Sequence, residues 1–214
     1  MENSFLCGID EAGRGPVIGP MYLAGVRFRS PETLKELQLD DSKSYGSGLR
    51  AQRQRASLAH EIMARAEFRI VEISAARIDA FVLRKGGLNL LEQMTAAMII
   101  RLLGPSIPVA ADGETLFSPL NKEFPSLVAA NKADSLFPAV SAASILAKHA
   151  RDQWFHQYQT RMLTAFGLEV SGGGYVNHRT DSFIEAFQKK YRSPPPHLRV
   201  SWKRKSKTMD LLFD

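Results

Sequence analysis

The segment from Asp10 to Pro20 constrains the possible fold and function of the chain more than any other segment. Two adjacent acids follow the apolar run Phe5–Ile9, and after them come three glycines, two prolines and an arginine. The apolar run predicts a buried strand that ends at the acids, with a turn of nearly bare backbone beside them. Carboxylates bind hard cations such as Mg²⁺, and glycine backbone with an arginine can closely approach a phosphate or a sugar. The segment therefore predicts metal-assisted chemistry on a nucleic acid.

The composition is that of one globular domain with a basic surface. The 214 residues are enough for one domain with a full core. The net charge of +6 fits a polyanionic partner, although a solvated basic surface is the simpler explanation of mild basicity. Cys7 is the single cysteine, so no intramolecular disulfide is expected. No signal peptide and no run of membrane-spanning length is recognised, and we expect a cytoplasmic monomer without membrane contact.

Hydrophobic periodicity predicts an α/β fold with a mixed sheet flanked by helices. The predicted strands are Phe5–Ile9, Met21–Phe28, Phe68–Ile73, Pro108–Ala111 and Ser126–Asn131. The predicted helices are Gly48–Ala66, Arg77–Leu83, Asn89–Leu103, Val140–Gln159 and Ser182–Tyr191. The first three strands are expected to be antiparallel, and the later ones, which alternate with helices, parallel.

Two finer predictions concern single helices. One stripe of the helix at 89–103 is expected to face the core, and it consists of Leu91, Met94, Met98 and Leu102. The last helix is expected to begin at Ser182, because Ser182 and Glu185 have the spacing of a capping box.

Four acids lie beside predicted strand or helix ends. Asp10 and Glu11 follow the first strand, Asp112 follows the fourth, and Asp134 precedes the helix at 140–159. Carboxylates with little histidine or cysteine nearby favour Mg²⁺ or Mn²⁺ over structural zinc. Two such ions can activate a water and stabilise the leaving oxygen in phosphodiester hydrolysis. Each acid alone is more simply a turn or cap residue, but the adjacent Asp10 and Glu11 would repel each other without a cation.

In these motifs the chain resembles the ribonuclease HII family, the type 2 ribonucleases H. Asp10–Pro16 matches the opening motif of that family letter for letter. The further matching blocks are Gly19-Pro20, Asp41–Lys43, Asp112-Gly113, Lys132–Asp134, Val140–Lys148, Arg151-Asp152 and Gly174-Tyr175. The first and the fourth-acid blocks are long and unusual, so the resemblance is specific.

The resemblance implies a ribonuclease H-like fold with a C-terminal helical extension and a catalytic site that holds two divalent ions, Mg²⁺ or Mn²⁺. The acids at matching positions are Asp10, Glu11, Asp112 and Asp134. The implied activity is hydrolysis of the RNA strand of RNA–DNA hybrids and incision 5′ of a ribonucleotide embedded in duplex DNA. The implied products carry a 3′-hydroxyl and a 5′-phosphate, as in ribonucleotide and primer removal during DNA repair and replication.

The resemblance also implies how the substrate is recognised. The backbone of Gly13, Arg14 and Gly15 would read the 2′-hydroxyl, the group that distinguishes RNA from DNA. Tyr175 would stack on the sugar of the next nucleotide. Our candidates for phosphate contacts are Lys43, Lys148 and Arg151, and the alternative for Lys148 and Arg151 is a solvated surface cation.

We expect a catalytic domain at residues 1–192 and a basic tail at residues 193–214. In the tail, Met209, Leu212 and Phe213 have the apolar spacing of a short peptide that binds a DNA sliding clamp. The alternatives are a last turn packed on the body of the protein and a frayed end.

Two other functions remain open at this point. Another metal-dependent nuclease of ribonuclease H-like fold would keep the acids but would need no reader of the 2′-hydroxyl. A non-catalytic hybrid-binding protein would gain nothing from four acids placed beside phosphates.

Overall fold

A five-stranded mixed sheet forms the centre of the fold. The computed structural model describes residues 5–39, 48–84 and 86–202, without the side chain of Leu49. The strands are β1 (Cys7–Ala12), β2 (Met21–Arg27), β3 (Glu67–Ile73), β4 (Val109–Asp112) and β5 (Leu127–Ala130). Their order is β3-β2-β1-β4-β5; β1, β2 and β3 are antiparallel neighbours, and β4 and β5 continue parallel to β1. The predicted mixed sheet is confirmed.

Helices cover both faces of this sheet. They are α1 (Pro31–Glu36), α2 (Leu49–Arg65), α3 (Ala75–Val82), α4 (Gly87–Leu103), α5 (Glu114–Phe117), α6 (Ala133–Leu136), α7 (Pro138–Phe166) and α8 (His178–Tyr191). Short 3₁₀ turns occur at Ser118–Lys122 and Gly172–Gly174. Within the described ranges, no helix is both long enough and apolar enough to cross a bilayer.

Strand alternation divides the core into two clusters. Cys7, Ile9, Met21 and Leu23 face α4, whereas Tyr22, Ala24, Val26 and Phe28 face α2 and α7. Because helices cover both faces, β2 is buried along nearly its whole length, as expected of a central strand.

The first turns of α7 lie unusually close to β1. A Cβ atom placed on Gly8 would lie 2.2 Å from the carbonyl carbon of Ala139, far inside contact distance. Small residues on α7, including Ala142 and Ala143, are fully buried at this contact. The close packing brings Ser144 of α7 beside Asp10 of β1.

The predicted core stripe of α4 is wrong at three of its four positions. Leu91 is buried, but Met94, Met98 and Leu102 are exposed, Met94 to 51%. The helix is apolar around most of its circumference, so periodicity alone does not select the inner face. A Cβ atom placed on Gly25 of β2 would lie 2.3 Å from Ile99. The side chain of Ile99 therefore packs into the space that Gly25 leaves open.

The predicted start of the last helix is also wrong. α8 begins at His178, and the side chain of Asn177 accepts a hydrogen bond from the backbone N–H of Thr180 at 3.1 Å. Asparagine caps a helix as well as serine does, and Asn177 also donates to the carbonyl of Gly172 at 2.8 Å. Ser182 therefore lies inside the helix.

A third cluster joins the segment after β1 to the C-terminal part of the chain. Val17 and Ile18 pack with residues of α7 and α8 and with Leu198. This arrangement confirms the predicted C-terminal helical extension. The division of the chain at residue 192 stays a prediction, and the described chain remains packed on the body as far as Trp202.

Candidate active site

Three of the predicted acids lie at one edge of the sheet. Ile9 of β1 is paired with Ala111 of β4, so the next residues of these parallel strands are Asp10 and Asp112. Alternation places both acids on the face covered by α7, while Glu11 lies on the α4 face. The strand register thus places Asp10 beside Asp112, from two distant parts of the chain, with Glu11 next to them on the opposite face.

The fourth acid, Asp134, lies in α6, whose first residue contacts Asp112. The carboxylate of Asp112 accepts a hydrogen bond from the backbone N–H of Ala133 at 2.7 Å. Asp134 is the next residue, and its carboxylate accepts a hydrogen bond from Ser135 Oγ at 3.5 Å. The structure therefore places Asp134 one residue away from a direct contact with Asp112.

Burial and mutual repulsion act on the carboxylates of β1. The pKa of Asp10 is raised well above its ordinary value, first by burial and then by the charge of Glu11. Burial, and then the charge of Glu92 on α4, raise the pKa of Glu11. Glu11 Oε2 is buried without a hydrogen-bond partner. The fold thus holds the carboxylates of β1 in surroundings that disfavour their charged forms.

The donor set fits a hard divalent cation. All the candidate ligands are carboxylates, which suit Mg²⁺ and Mn²⁺, and the unpartnered Glu11 oxygen is available to one. Nevertheless, in the part of the chain that the structure describes, no three acidic, histidine or cysteine side chains form a ready-made ligand set. The strand alternation that separates Glu11 from Asp10 and Asp112 agrees with that finding.

Glu92 of α4 belongs to the site and was missed by the sequence analysis. It is fully buried, and it accepts a hydrogen bond from the guanidinium of Arg14, which also donates to Asn89 Oδ1 at 2.6 Å. Burial raises the pKa of Glu92 to about 7, although Arg14 opposes the shift. Its place as the one acid of a mostly apolar helix is the signal that could have revealed it.

The segment between β1 and β2 is held from two sides. We call residues 13–19 the substrate loop. The backbone N–H of Val17 donates to the carbonyl of Gly174 at 2.7 Å, on the side of the 3₁₀ turn at 172–174. On the other side, the buried guanidinium of Arg199 donates to carbonyls of the loop. Nothing in the local sequence pattern around Arg199 pointed to this role.

Tyr175 stands next to the substrate loop. Its side chain is 50% exposed, and a Cβ on Gly15 would lie 3.8 Å from Tyr175 Cε1. Gly13 has a φ of +86°, and a Cβ there would lie 2.5 Å from Arg151 Cδ, so glycine is required at that position. The structure therefore brings Gly13, Gly15 and Tyr175 to one place.

Lys148 and Arg151, both on α7, have different surroundings. Lys148 is exposed, as a solvated cation would be. Arg151 is buried: it donates to the carbonyl of Gly173 at 3.0 Å and lies 5.6 Å from the ring centres of Phe155 and Tyr175. Burial lowers the pKa of Arg151.

An open groove of about 740 Å³ runs past residues 12–15 and Tyr175, and of the four predicted acids Glu11 alone lines it. Its lining includes Glu11, residues 12–15, Gln52, Arg55, Lys148, Arg151, Phe155, His156 and Tyr175. Arg55 of α2, which the sequence analysis did not single out, is fixed there by a 2.8 Å ion pair with Asp152 of α7. Carboxylate, glycine backbone, an aromatic ring and basic side chains therefore share one surface.

Two predicted features lie outside the described residues. One is Lys43, a candidate for a phosphate contact. The other is the candidate clamp-binding peptide with Met209, Leu212 and Phe213.

Comparison with known proteins agrees with this arrangement. The family described as Ribonuclease HII matches residues 7–205. A ribonuclease HII from Methanoregula boonei is 35% identical over 206 residues, covering 92% of this chain and 91% of the relative. The relationship therefore extends over nearly the whole chain.

Solved structures give the same result. The ribonuclease HII in a complex with PCNA from Archaeoglobus fulgidus superimposes with a TM-score of 0.78 at 32% identity, covering 95% of this chain and 98% of that one. The ribonuclease H2 of Pyrococcus horikoshii superimposes with a TM-score of 0.77 at 27% identity, covering 92% and 93%. The chain belongs to the ribonuclease HII family of endoribonucleases.

Proposed function

We propose that this chain hydrolyses the RNA strand of RNA–DNA hybrids and cuts duplex DNA 5′ of an embedded ribonucleotide. The products carry a 3′-hydroxyl and a 5′-phosphate. The observation that carries the proposal is that Gly13–Gly15 and Tyr175 line the same groove as Glu11. A groove with these parts can recognise a ribose and its neighbouring sugar beside a cluster of carboxylates.

The acids Asp10, Glu11, Asp112 and Asp134 would hold two divalent ions, Mg²⁺ or Mn²⁺. When bound, such ions supply an activated water and stabilise the leaving oxygen of a phosphodiester. The raised pKa values of Asp10 and Glu11 support this assignment, because a bound cation would offset the burial and the neighbouring negative charges that cause them. The ions would restore the ionised form of both groups.

The substrate loop would bind the ribonucleotide through its backbone. A 2′-hydroxyl both donates and accepts hydrogen bonds, and Gly15 is exposed without a side chain that would block the approach. The half-exposed ring of Tyr175 would stack on the sugar of the next nucleotide. Lys43, Lys148 and Arg151 would contact phosphates, Arg151 from beneath the groove.

The direct test is cleavage of a duplex with one embedded ribonucleotide, with and without Mg²⁺, and mapping of the cut. We expect Mg²⁺-dependent incision 5′ of the ribonucleotide, and its loss in Asp10→Asn and Asp134→Asn with the fold retained. The matched control is Glu123→Gln, an exposed acid that pairs with Arg101 at 2.6 Å on the surface. Full activity in either site variant would disprove the assignment of that acid.

The role of Tyr175 is tested by two variants. Tyr175→Ala removes the ring and is expected to slow cleavage at a single ribonucleotide more than cleavage of a long hybrid. Tyr175→Phe keeps the stacking surface and is expected to retain most of the activity. Equal losses on both substrates would contradict a role at the RNA–DNA junction.

The tail is proposed to bind a DNA sliding clamp through Met209, Leu212 and Phe213. The ribonuclease HII of Archaeoglobus fulgidus, which has been solved in a complex with PCNA, supports this proposal. Recovery of the clamp by the full chain, but not by a chain lacking residues 206–214, is expected. Such a tail would direct a monomeric, cytoplasmic enzyme to DNA during replication and repair.

A further inference from the structure

A segment near the end of the described chain crosses the substrate loop. We call residues 197–202 the C-terminal strap. The backbone N–H of Gly19 donates to the carbonyl of His197 at 2.9 Å, and that of Arg199 donates to Val17 at 2.8 Å. Ile18 and Leu198 form an isolated antiparallel bridge. The strap therefore pairs with the loop as a short strand would.

Arg199 makes the deepest contact of the strap. Its side chain is 1% exposed, yet it carries a guanidinium. Nε donates to the carbonyl of Gly19 at 2.8 Å, Nη1 to that of Arg14 at 2.9 Å, and Nη2 to that of Gly13 at 2.6 Å. The planar guanidinium spreads its donors over three nitrogens and so fits these three acceptors. A lysine ammonium has its three donors on one nitrogen and cannot reproduce this geometry.

Other residues hold Arg199 in this position. The guanidinium lies 5.0 Å from the ring centre of Trp202. Beyond it, the carboxylate of Asp79 on α3 accepts hydrogen bonds from the backbone N–H groups of Val200 at 3.1 Å and Ser201 at 2.9 Å. Burial lowers the pKa of Arg199 to about 10, while the charges of Asp79 and Glu92 favour its ionised form. The fold thus uses a buried cation to hold one loop in place.

The contacts of Arg199 determine where the loop amides point. In a planar trans peptide, the C=O and the N–H of the same unit point in opposite directions. Because Arg199 holds the carbonyls of Gly13 and Arg14, the N–H groups of Arg14 and Gly15 point away from it. Residues 13–15 line the groove, so these two donors are directed towards the groove.

We propose that Arg199 is a positioning residue for recognition of the ribonucleotide. It holds the peptide groups of the substrate loop in the orientation that binds the ribose with its 2′-hydroxyl, without touching the substrate itself. This inference rests on the proposed function. It adds that the preference for ribose over deoxyribose depends on a side chain buried behind the loop.

The test compares Arg199→Lys, Arg199→Ala and the surface control Arg101→Lys on duplexes with and without one ribonucleotide. For Arg199→Lys, we expect kcat/KM on the ribonucleotide duplex to fall at least about tenfold, mainly through a higher KM. A tenfold change corresponds to the loss of about one hydrogen bond between the loop and the ribose. Binding to the all-DNA duplex, which depends on phosphates, is expected to change little. Arg101→Lys should behave as the wild type does.

Chemical rescue distinguishes a positioning role of Arg199 from a purely structural one. Millimolar guanidinium chloride is expected to restore part of the ribonucleotide cleavage by Arg199→Ala, whereas the same concentration of sodium chloride is not. Folding of each variant is checked by circular dichroism. If Arg199→Ala does not fold, Arg199→Lys, which keeps the charge and most of the volume, decides the question.

The outcomes separate this inference from the proposed function. A wild-type protein that does not cut the ribonucleotide duplex overturns both. A wild-type protein that cuts it, together with a folded Arg199→Lys variant of equal kcat/KM and equal ribose preference, overturns only the role of Arg199.

Discussion

Replacing Glu92 with glutamine is expected to remove a pH dependence from the folding stability of the metal-free protein. Glu92 is fully buried, and burial raises its pKa from the ordinary value of 4.5 to about 7. Between these two values the folded protein keeps the proton that the unfolded chain has already lost. Stability therefore falls as the pH rises from about 4.5 to about 7, and it levels off above that.

The size of the effect follows from the shift. Each pKa unit corresponds to about 1.4 kcal/mol, so this shift corresponds to about 3 kcal/mol of unfolding free energy. Glutamine resembles the protonated side chain. Glu92→Gln should thus match the wild type near pH 4.5 and exceed it by up to about 3 kcal/mol near pH 8.

The assay is urea unfolding, followed by circular dichroism in EDTA, at several pH values across this range. The wild type and Glu92→Gln share the titration of Asp10, so the difference between their curves reports on Glu92 and on its repulsion of Glu11. Glu123→Gln, at an exposed position, is the control and should run parallel to the wild type. Parallel curves for wild type and Glu92→Gln would refute the reasoning.

Three further predictions concern packing and charge. Gly8→Ala is expected to lower the unfolding free energy by about 3 kcal/mol, because its Cβ would lie 2.2 Å from the carbonyl carbon of Ala139. Lys148→Ala is expected to leave the unfolding free energy unchanged within about 0.5 kcal/mol. It is also expected to reduce the slope of the logarithm of the hybrid-binding constant against the logarithm of salt concentration by about one, the contribution of one phosphate contact. Met98→Gln, on the exposed side of α4, is expected to cost less than about 0.5 kcal/mol, whereas Ile99→Ala is expected to cost about 3 kcal/mol. Urea unfolding measures the stabilities, and titration at several salt concentrations measures the binding.

Each of these predictions has an outcome that contradicts it. A fully stable Gly8→Ala protein would mean that α7 can move away from β1 without cost. An unchanged salt slope would remove Lys148 from the phosphate contacts. Equal losses for Met98→Gln and Ile99→Ala would show that both faces of α4 are covered.

The sheet and the position of Asp10 beside Asp112 were predictable because their signals are local. Each strand is a short apolar run, and Asp10, Glu11 and Asp112 follow or end such runs. Once β1 and β4 are parallel neighbours, acids at corresponding positions must meet at one edge. The family resemblance supplied roles for residues that pattern alone left as turns and caps.

The remaining features depend on contacts that no local pattern records. Periodicity could not distinguish the inner face of α4 from the outer one. Ile99 faces inward because it packs against Gly25 of β2, a contact between residues far apart in the sequence. Glu92 was missed because its partner Arg14 lies 78 positions earlier in the chain. Arg199 was missed for the same reason, since it contacts Gly13 across 186 positions.

That last separation has a consequence for how the protein is made. A polypeptide is synthesised from its N-terminus, so residues 13–19 leave the ribosome long before Arg199, which supplies donors to their carbonyls. Contacts between such distant positions also form slowly, because a large loop must close first. A nascent chain that already contains all four acids would therefore still lack the contacts with which Arg199 orients this loop. The loop would then reach its final orientation only after residue 199 has been synthesised.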